Sequence, residues 1–146
     1  MFESILVGTD GSGTAGVAVA RAVAMSAALG ARLQIVSAYE PVPERHLRIE
    51  RVHVPGDVQV NMREEVLAML EAARRDAEAA GVARVETFAR LGDAADAILD
   101  VAEEQGSDLV VVGNKGMTGA TRFLLGSVPN KVSHHAPCSV LIVRTR

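Results

Sequence analysis

At 146 residues, 49% hydrophobic and 23% charged, the chain is sized for one globular domain spanning residues 1–146, with a core that needs no disulfide or structural metal. A single cysteine, Cys138, and no zinc-type Cys/His spacing point to a reducing cytoplasm, apolar runs of five to seven residues are too short for a membrane span, and 3% aromatics without Trp exclude a base-stacking platform. The net charge of −3 hides an asymmetry, because residues 1–108 carry all 18 acids against 10 bases whereas residues 109–146 carry five bases and no acid, which makes the carboxyl-terminal quarter the place for an anion.

In chain order, Ser4-Ile5-Leu6-Val7-Gly8 is a short apolar stretch of the kind that forms a strand buried on both faces. The start before it has no basic segment, so a secretory signal is not expected. Residues 14–29 are alanine-rich and stop at Gly30, which predicts a helix with Ser12 as its N-cap. Residues 32–39 form the second predicted strand. Residues 40–60 contain Pro41, Pro43, Pro55, His46 and His53 and are expected to be an irregular excursion, either a lid near the site or a disordered loop. Val66, Leu70, Ala73 and Ala77 then recur at helical steps before Gly81. Val85 to Leu91 is the third predicted strand. Ala94, Ala97, Ile98, Val101 and Ala102 make a helical apolar face closed by Gly106. Leu109 to Val112, a helix over residues 127–135 stopped by Pro137, and Val140 to Val143 complete a β-α-β-α-β-α-β-α-β order. Such alternation predicts an α/β fold: an open five-stranded parallel sheet with helices on both faces and right-handed crossovers.

Ligands of open parallel sheets bind beyond the carboxyl ends of the strands, so the residues after each strand carry the functional signal. Two glycine-rich loops stand there, Gly8-Thr9-Asp10-Gly11-Ser12-Gly13 after the first strand and Gly113-Asn114-Lys115-Gly116 running on to Gly126-Ser127 after the fourth. The first lacks the Lys and Ser/Thr of a P-loop. It does contain Gly11-x-Gly13-x-x-Gly16, the spacing of an NAD-type dinucleotide fingerprint, with Glu40 at the distance of a ribose ligand. Against that alternative stand Asp10 beside the pyrophosphate position, five strands rather than six, and a second loop left unexplained. In the second loop, Gly113 and Gly116 admit close backbone approach, and Gly126, Ser127 and Val128 at the head of the last helix can offer amides to a phosphate, with Pro129 tolerated in the first turn. A plain capped helix after a flexible loop is the structural alternative.

The spacing Gly113-x2-Gly116-x9-Gly126-Ser127, the opening Ile5-Leu6-Val7-Gly8-Thr9-Asp10-Gly11-Ser12 and the closing His135-Ala136-Pro137-Cys138-Ser139-Val140-Leu141-Ile142-Val143 resemble the universal stress protein family, over the whole chain. The resemblance implies strand order 3-2-1-4-5, a homodimer through the last strand, and, for the subgroup with this glycine signature, binding of ATP or a related adenine nucleotide such as cAMP. It places Asp10, after Gly8 and Thr9, at the ribose or at Mg2+ carried with ATP, Ala38 at adenine, and Val112 and Gly113 along base and ribose. Lys115 and Gly116 follow the phosphate path, with Gly126, Ser127, Val128 and Pro129 as its cradle. Where family members often have Ser followed by Arg or His, this chain has Asn114-Lys115. With no placed general base and no P-loop lysine, the expected role is a ligand-dependent regulator or nucleotide reservoir, at most a slow ATPase. A dimeric scaffold with a vestigial pocket is the alternative from a different class. His134 and His135 are expected to serve the last helix's carboxyl end, Cys138 to pack as a small hydrophobe, and Glu103-Glu104 to form a solvated face.

Overall fold

The structure, a computed structural model, describes residues 1–39, 55–115 and 125–145, with side chains of 55–62 excepted. Five strands, β1 Ser4–Gly8, β2 Arg32–Tyr39, β3 Val85–Leu91, β4 Leu109–Gly113 and β5 Ser139–Val143, form one sheet of order β3-β2-β1-β4-β5. All four pairings are parallel, as the alternation of elements requires. Among the described residues the helices between them are α1 Gly13–Leu29, α2 Pro55–Ala79, α3 Ala94–Gln105 and α4 Ser127–His135.

β1 and β4 lie at the centre, and all but the last residue of each is buried. Their side chains alternate between two cores. Ile5, Val7, Leu33, Ile35 and Val111 pack with Ala18 and Ala22 of α1 and Leu70 and Ala77 of α2. On the other face Leu6, Val36, Val110 and Val112 pack with Ile98 and Val101 of α3 and Val132 of α4. The largest polar side chain buried in this interior is that of Gln34. Gln34, fully buried, accepts hydrogen bonds on its Oε1 from the hydroxyls of Ser4 (3.1 Å) and Ser107 (3.0 Å). It ties together the amino-terminal ends of the sheet, opposite the ends where a ligand belongs.

Local chemistry sets the helix limits. The Ser12 hydroxyl accepts the Ala15 amide at 3.2 Å and the Asp93 carboxylate accepts the Asp96 amide at 3.0 Å, so α1 and α3 each begin on a side-chain cap. Both end on a glycine in the left-handed region, Gly30 (φ 68°) and Gly106 (φ 62°). Of the irregular stretch expected over 40–60, residues 55–60 are helical instead. α2 already begins at Pro55, whose fixed φ and missing N–H suit the first helical turn; residues 40–54, with Glu40, His46 and His53, lie outside the described residues. Among the described residues no helix is long and apolar enough to cross a membrane.

Candidate functional site

In the order β3-β2-β1-β4-β5 the chain turns one way from β1 and the other way from β4, so the crevice between their carboxyl ends is the switch point of the sheet. A cleft opens there. From the end of β1 it is lined by Gly8, Thr9 and Asp10, from β2 by Ala38, from β4 by Val112, Gly113 and Lys115, and from the first turn of α4 by Val128 and Pro129. Gly126 and Ser127 do not line it; Gly126 is buried at the N-cap of α4 and Ser127 is exposed beside it. Gly116 lies outside the described residues. Ser12, Thr14, Ala15, Val36, Ala94 and Ile98 complete the lining. Ala94 and Ile98 belong to the apolar stripe of α3, whose first turn overhangs the strand ends. That stripe has one period for both jobs, and so it reads as core throughout.

The floor is apolar. Ile98 lies so close over Gly8 that a Cβ there would stand 2.6 Å from its Cδ1. Glycine at position 8 therefore seats the α3 side chain that forms the floor. The wall on the β2 side carries the polar information. Even-numbered residues of β2 turn their peptide groups toward β1: Arg32 N–H donates to Glu3 O and Val36 O accepts from Thr9 N–H, both at 3.0 Å. Odd-numbered ones turn toward β3, as in Leu33 N–H to Arg84 O (2.9 Å) and Gly92 N–H to Tyr39 O (2.8 Å). Ala38 thus aims its N–H and C=O toward β1, whose last residue, Gly8, is already level with Val36. One donor and one acceptor face the cleft side by side, and among the described residues no strand takes them.

The Asp10 turn is built from its own side chains. Asp10 Oδ1 accepts the Ser12 amide (2.8 Å), Thr9 Oγ1 accepts the Gly11 amide (3.1 Å), and Gly11 takes φ 82°. The Asp10 carboxylate is exposed at the rim. Gly13 and Gly16 meet nothing within 4 Å of a Cβ. The dinucleotide fingerprint needs its last glycine for tight helix–strand contact, and Gly16 makes none.

Across the cleft stands the head of α4. Gly126 caps it without a side-chain bond, its N–H donating to Asn114 O (3.0 Å) and its carbonyl accepting Asn130 N–H (3.0 Å). The Ser127 and Val128 amides have no partner among the described residues, and Pro129 has none to offer, so two first-turn donors are left for an anion. Of the five bases in the acid-free end, Lys115 lines the cleft. Lys131 is held by Asp96 (2.6 Å) and Asp93 (3.7 Å), which raises its pKa, Arg144 is exposed, and Arg122 and Arg146 are outside the described residues. His134 Nδ1 sits 2.8 Å from Asn130 O, within the helix it closes. Cys138 is packed against the second core, and burial pushes its thiol pKa up. Glu104 is not merely solvated, because Arg90 donates two hydrogen bonds to it (3.0 and 3.1 Å).

A model of the universal stress protein family matches residues 1–144. The chain belongs to the universal stress protein family. A universal stress protein of Mycobacterium tuberculosis strain H37Rv is 38% identical over 144 residues, covering 99% of this chain and 97% of its own. A universal stress protein solved in complex with cAMP superposes with a TM-score of 0.73 at 34% identity, over 99% of this chain and 98% of that one. The UspA protein of Lactobacillus plantarum, at 22% identity and a TM-score of 0.83 over 98% of each chain, shares the fold. The order 3-2-1-4-5 is that of the family, and the cleft of this universal stress protein sits at its switch point.

Proposed function

We propose that this universal stress protein binds one adenine nucleotide, cAMP or ATP, in the switch-point cleft and acts as a ligand-dependent regulator or nucleotide reservoir. The observation that carries the reading is the Ala38 peptide, without a partner among the described residues and facing the same cleft as the head of α4. The edge of adenine presents an amino donor beside a ring-nitrogen acceptor, which matches a carbonyl and an N–H on one residue. Ile98, Val36 and Ala94 then cover the base, Asp10 and Gly113 face the ribose, and the Ser127 and Val128 amides with Lys115 receive phosphate. The 34% identical relative solved with cAMP supports a nucleotide of this size.

Magnesium enters this reading only with ATP. Among the described residues Asp10 is the one carboxylate lining the cleft, and no three metal-binding side chains cluster. A metal ion would therefore be held by Asp10 together with the nucleotide's own phosphates, where it would neutralise their charge. A second copy of the chain is the proposed partner, pairing along β5. That outer strand carries no charge and leaves Ile142 38% exposed, whereas the other edge, β3, is blunted by Glu86 and Arg90.

Competition of ATP, ADP, AMP, cAMP, GMP and NAD against one labelled adenine nucleotide tests the site. Adenine mononucleotides should displace the label and GMP should not. Displacement by NAD alone would favour the dinucleotide alternative, and no saturable binding would favour a scaffold with a vestigial pocket.

A further inference from the structure

Among the described residues Asn114, just beyond the end of β4, makes four hydrogen bonds, all to the frame of the cleft. Its N–H donates to Val143 O at the end of β5 (2.9 Å), and its carbonyl accepts the Gly126 N–H at the head of α4 (3.0 Å). Its side-chain Oδ1 accepts both the Thr145 N–H (3.0 Å) and the Thr145 hydroxyl (2.9 Å). Both lone pairs of that amide oxygen are used, and the side chain is half-buried. The Thr145 methyl lies 3.0 Å from where a Cβ on Gly113 would stand, so glycine before Asn114 is what lets Thr145 close over the end of β4.

We propose that Asn114 is the positioning residue of the phosphate site: it fixes the head of α4 to the end of β5 and so holds the Ser127 and Val128 amides at the distance a phosphate requires. This rests on the nucleotide reading above. The physical reason is that α4 has no side chain capping its start. Its Gly126 N–H is held by a carbonyl on a loop, and a loop carbonyl is only as well placed as its residue. The Thr145 bonds hold that residue. Amide-to-phosphate hydrogen bonds are short and directional, so a small displacement of the helix head weakens both at once. The apolar floor and the Ala38 peptide belong to α3 and β2 and are independent of this anchor.

The role predicts a split between ligands that differ only in phosphate. Titration of Asn114→Ala and Thr145→Val with AMP and with adenosine should show AMP affinity falling about tenfold in Asn114→Ala and about three- to tenfold in Thr145→Val. Adenosine affinity should stay within about twofold in both. Thr145→Ser, which keeps the hydroxyl, should retain AMP binding. In ligand-free protein the Gly126 amide should exchange with deuterium faster in Asn114→Ala and Thr145→Val than in wild type. Equal losses for AMP and adenosine would reduce Asn114 to a residue of the fold, and unchanged AMP binding would remove its role; either overturns the proposal while wild type binds. Wild-type protein that binds neither compound would instead refute the nucleotide site, and the positioning role with it, whatever the exchange rates show.

Discussion

Gly8 shows how a single missing Cβ decides the shape of the cleft. Ile98 occupies the space over it, with Cδ1 and Cγ1 at 2.6 and 2.9 Å from the position a Cβ would take, and Ile98 is itself buried in the second core. Gly8→Ala therefore forces Ile98 to move, and the open direction is toward the cleft. Overpacking of this kind costs about 1–3 kcal/mol. A denaturant melt should show that loss, and a titration should show weaker binding of adenine nucleotides and of adenosine alike, because the base floor is what changes. Loss of AMP binding with adenosine untouched would place Gly8 at the phosphate instead. In the sequence Gly8 is legible as the start of the glycine-rich loop after the first strand, but not as the seat of a floor residue. Its partner Ile98, 90 residues on, is invisible there because an α3 stripe that covers a sheet and one that also floors a site have the same spacing.

At the scale of elements the sequence is most legible where one physical signal has one reading. β3 falls at Val85–Leu91 and α4 at Ser127–His135, each bounded by its own glycine, proline or cap. Ser12 caps α1 as its position before an alanine run predicts. The start of α2 is less legible, because prolines and histidines upstream spread a loop-like composition into its first turn. Further along α2, Arg74 donates hydrogen bonds to Glu71 and Glu78, and the Arg74 guanidinium holds the Glu71 carboxyl below the usual range near 4.5. A carboxyl whose folded pKa lies below its unfolded one stabilises the fold above the unfolded value and loses that contribution as pH falls through the folded value. The denaturant midpoints of wild type and Glu71→Gln should therefore differ at pH 7 and converge in acid. A gap of equal size at both pH values would show that the pair contributes nothing electrostatic.

At the scale of the whole molecule, strand order, two-sided packing and the place of the cleft follow from alternation of elements, and nine of the twelve residues expected at the ligand line that one cleft. The sequence does not reveal that the Gly126 amide is taken by Asn114, since a loop residue's bonds across 12 positions leave no periodic trace. Nor does composition expose the unequal edges of the sheet. β3 carries charges paired to Arg32, Arg84 and Glu104, and β5 carries none. Ile142→Lys puts a charge on the uncovered edge, so it should yield a monomer in light scattering at concentrations where wild type is a dimer, with nucleotide affinity retained. A variant dimer would place the contact elsewhere, and a wild-type monomer would refute the proposed dimer.

Nucleotide binding as proposed requires two separate backbone features, the Ala38 peptide and the first turn of α4, to meet one ligand. Amide chemical shifts followed during a cAMP titration of the labelled protein test this directly. Ala38, Ser127 and Val128 should shift together and saturate at one equivalent, while Ala83 and Arg84 at the opposite end of the sheet stay still. Saturation without a change at Ala38 or at the α4 head, or no saturable shift at either, would contradict the proposed binding.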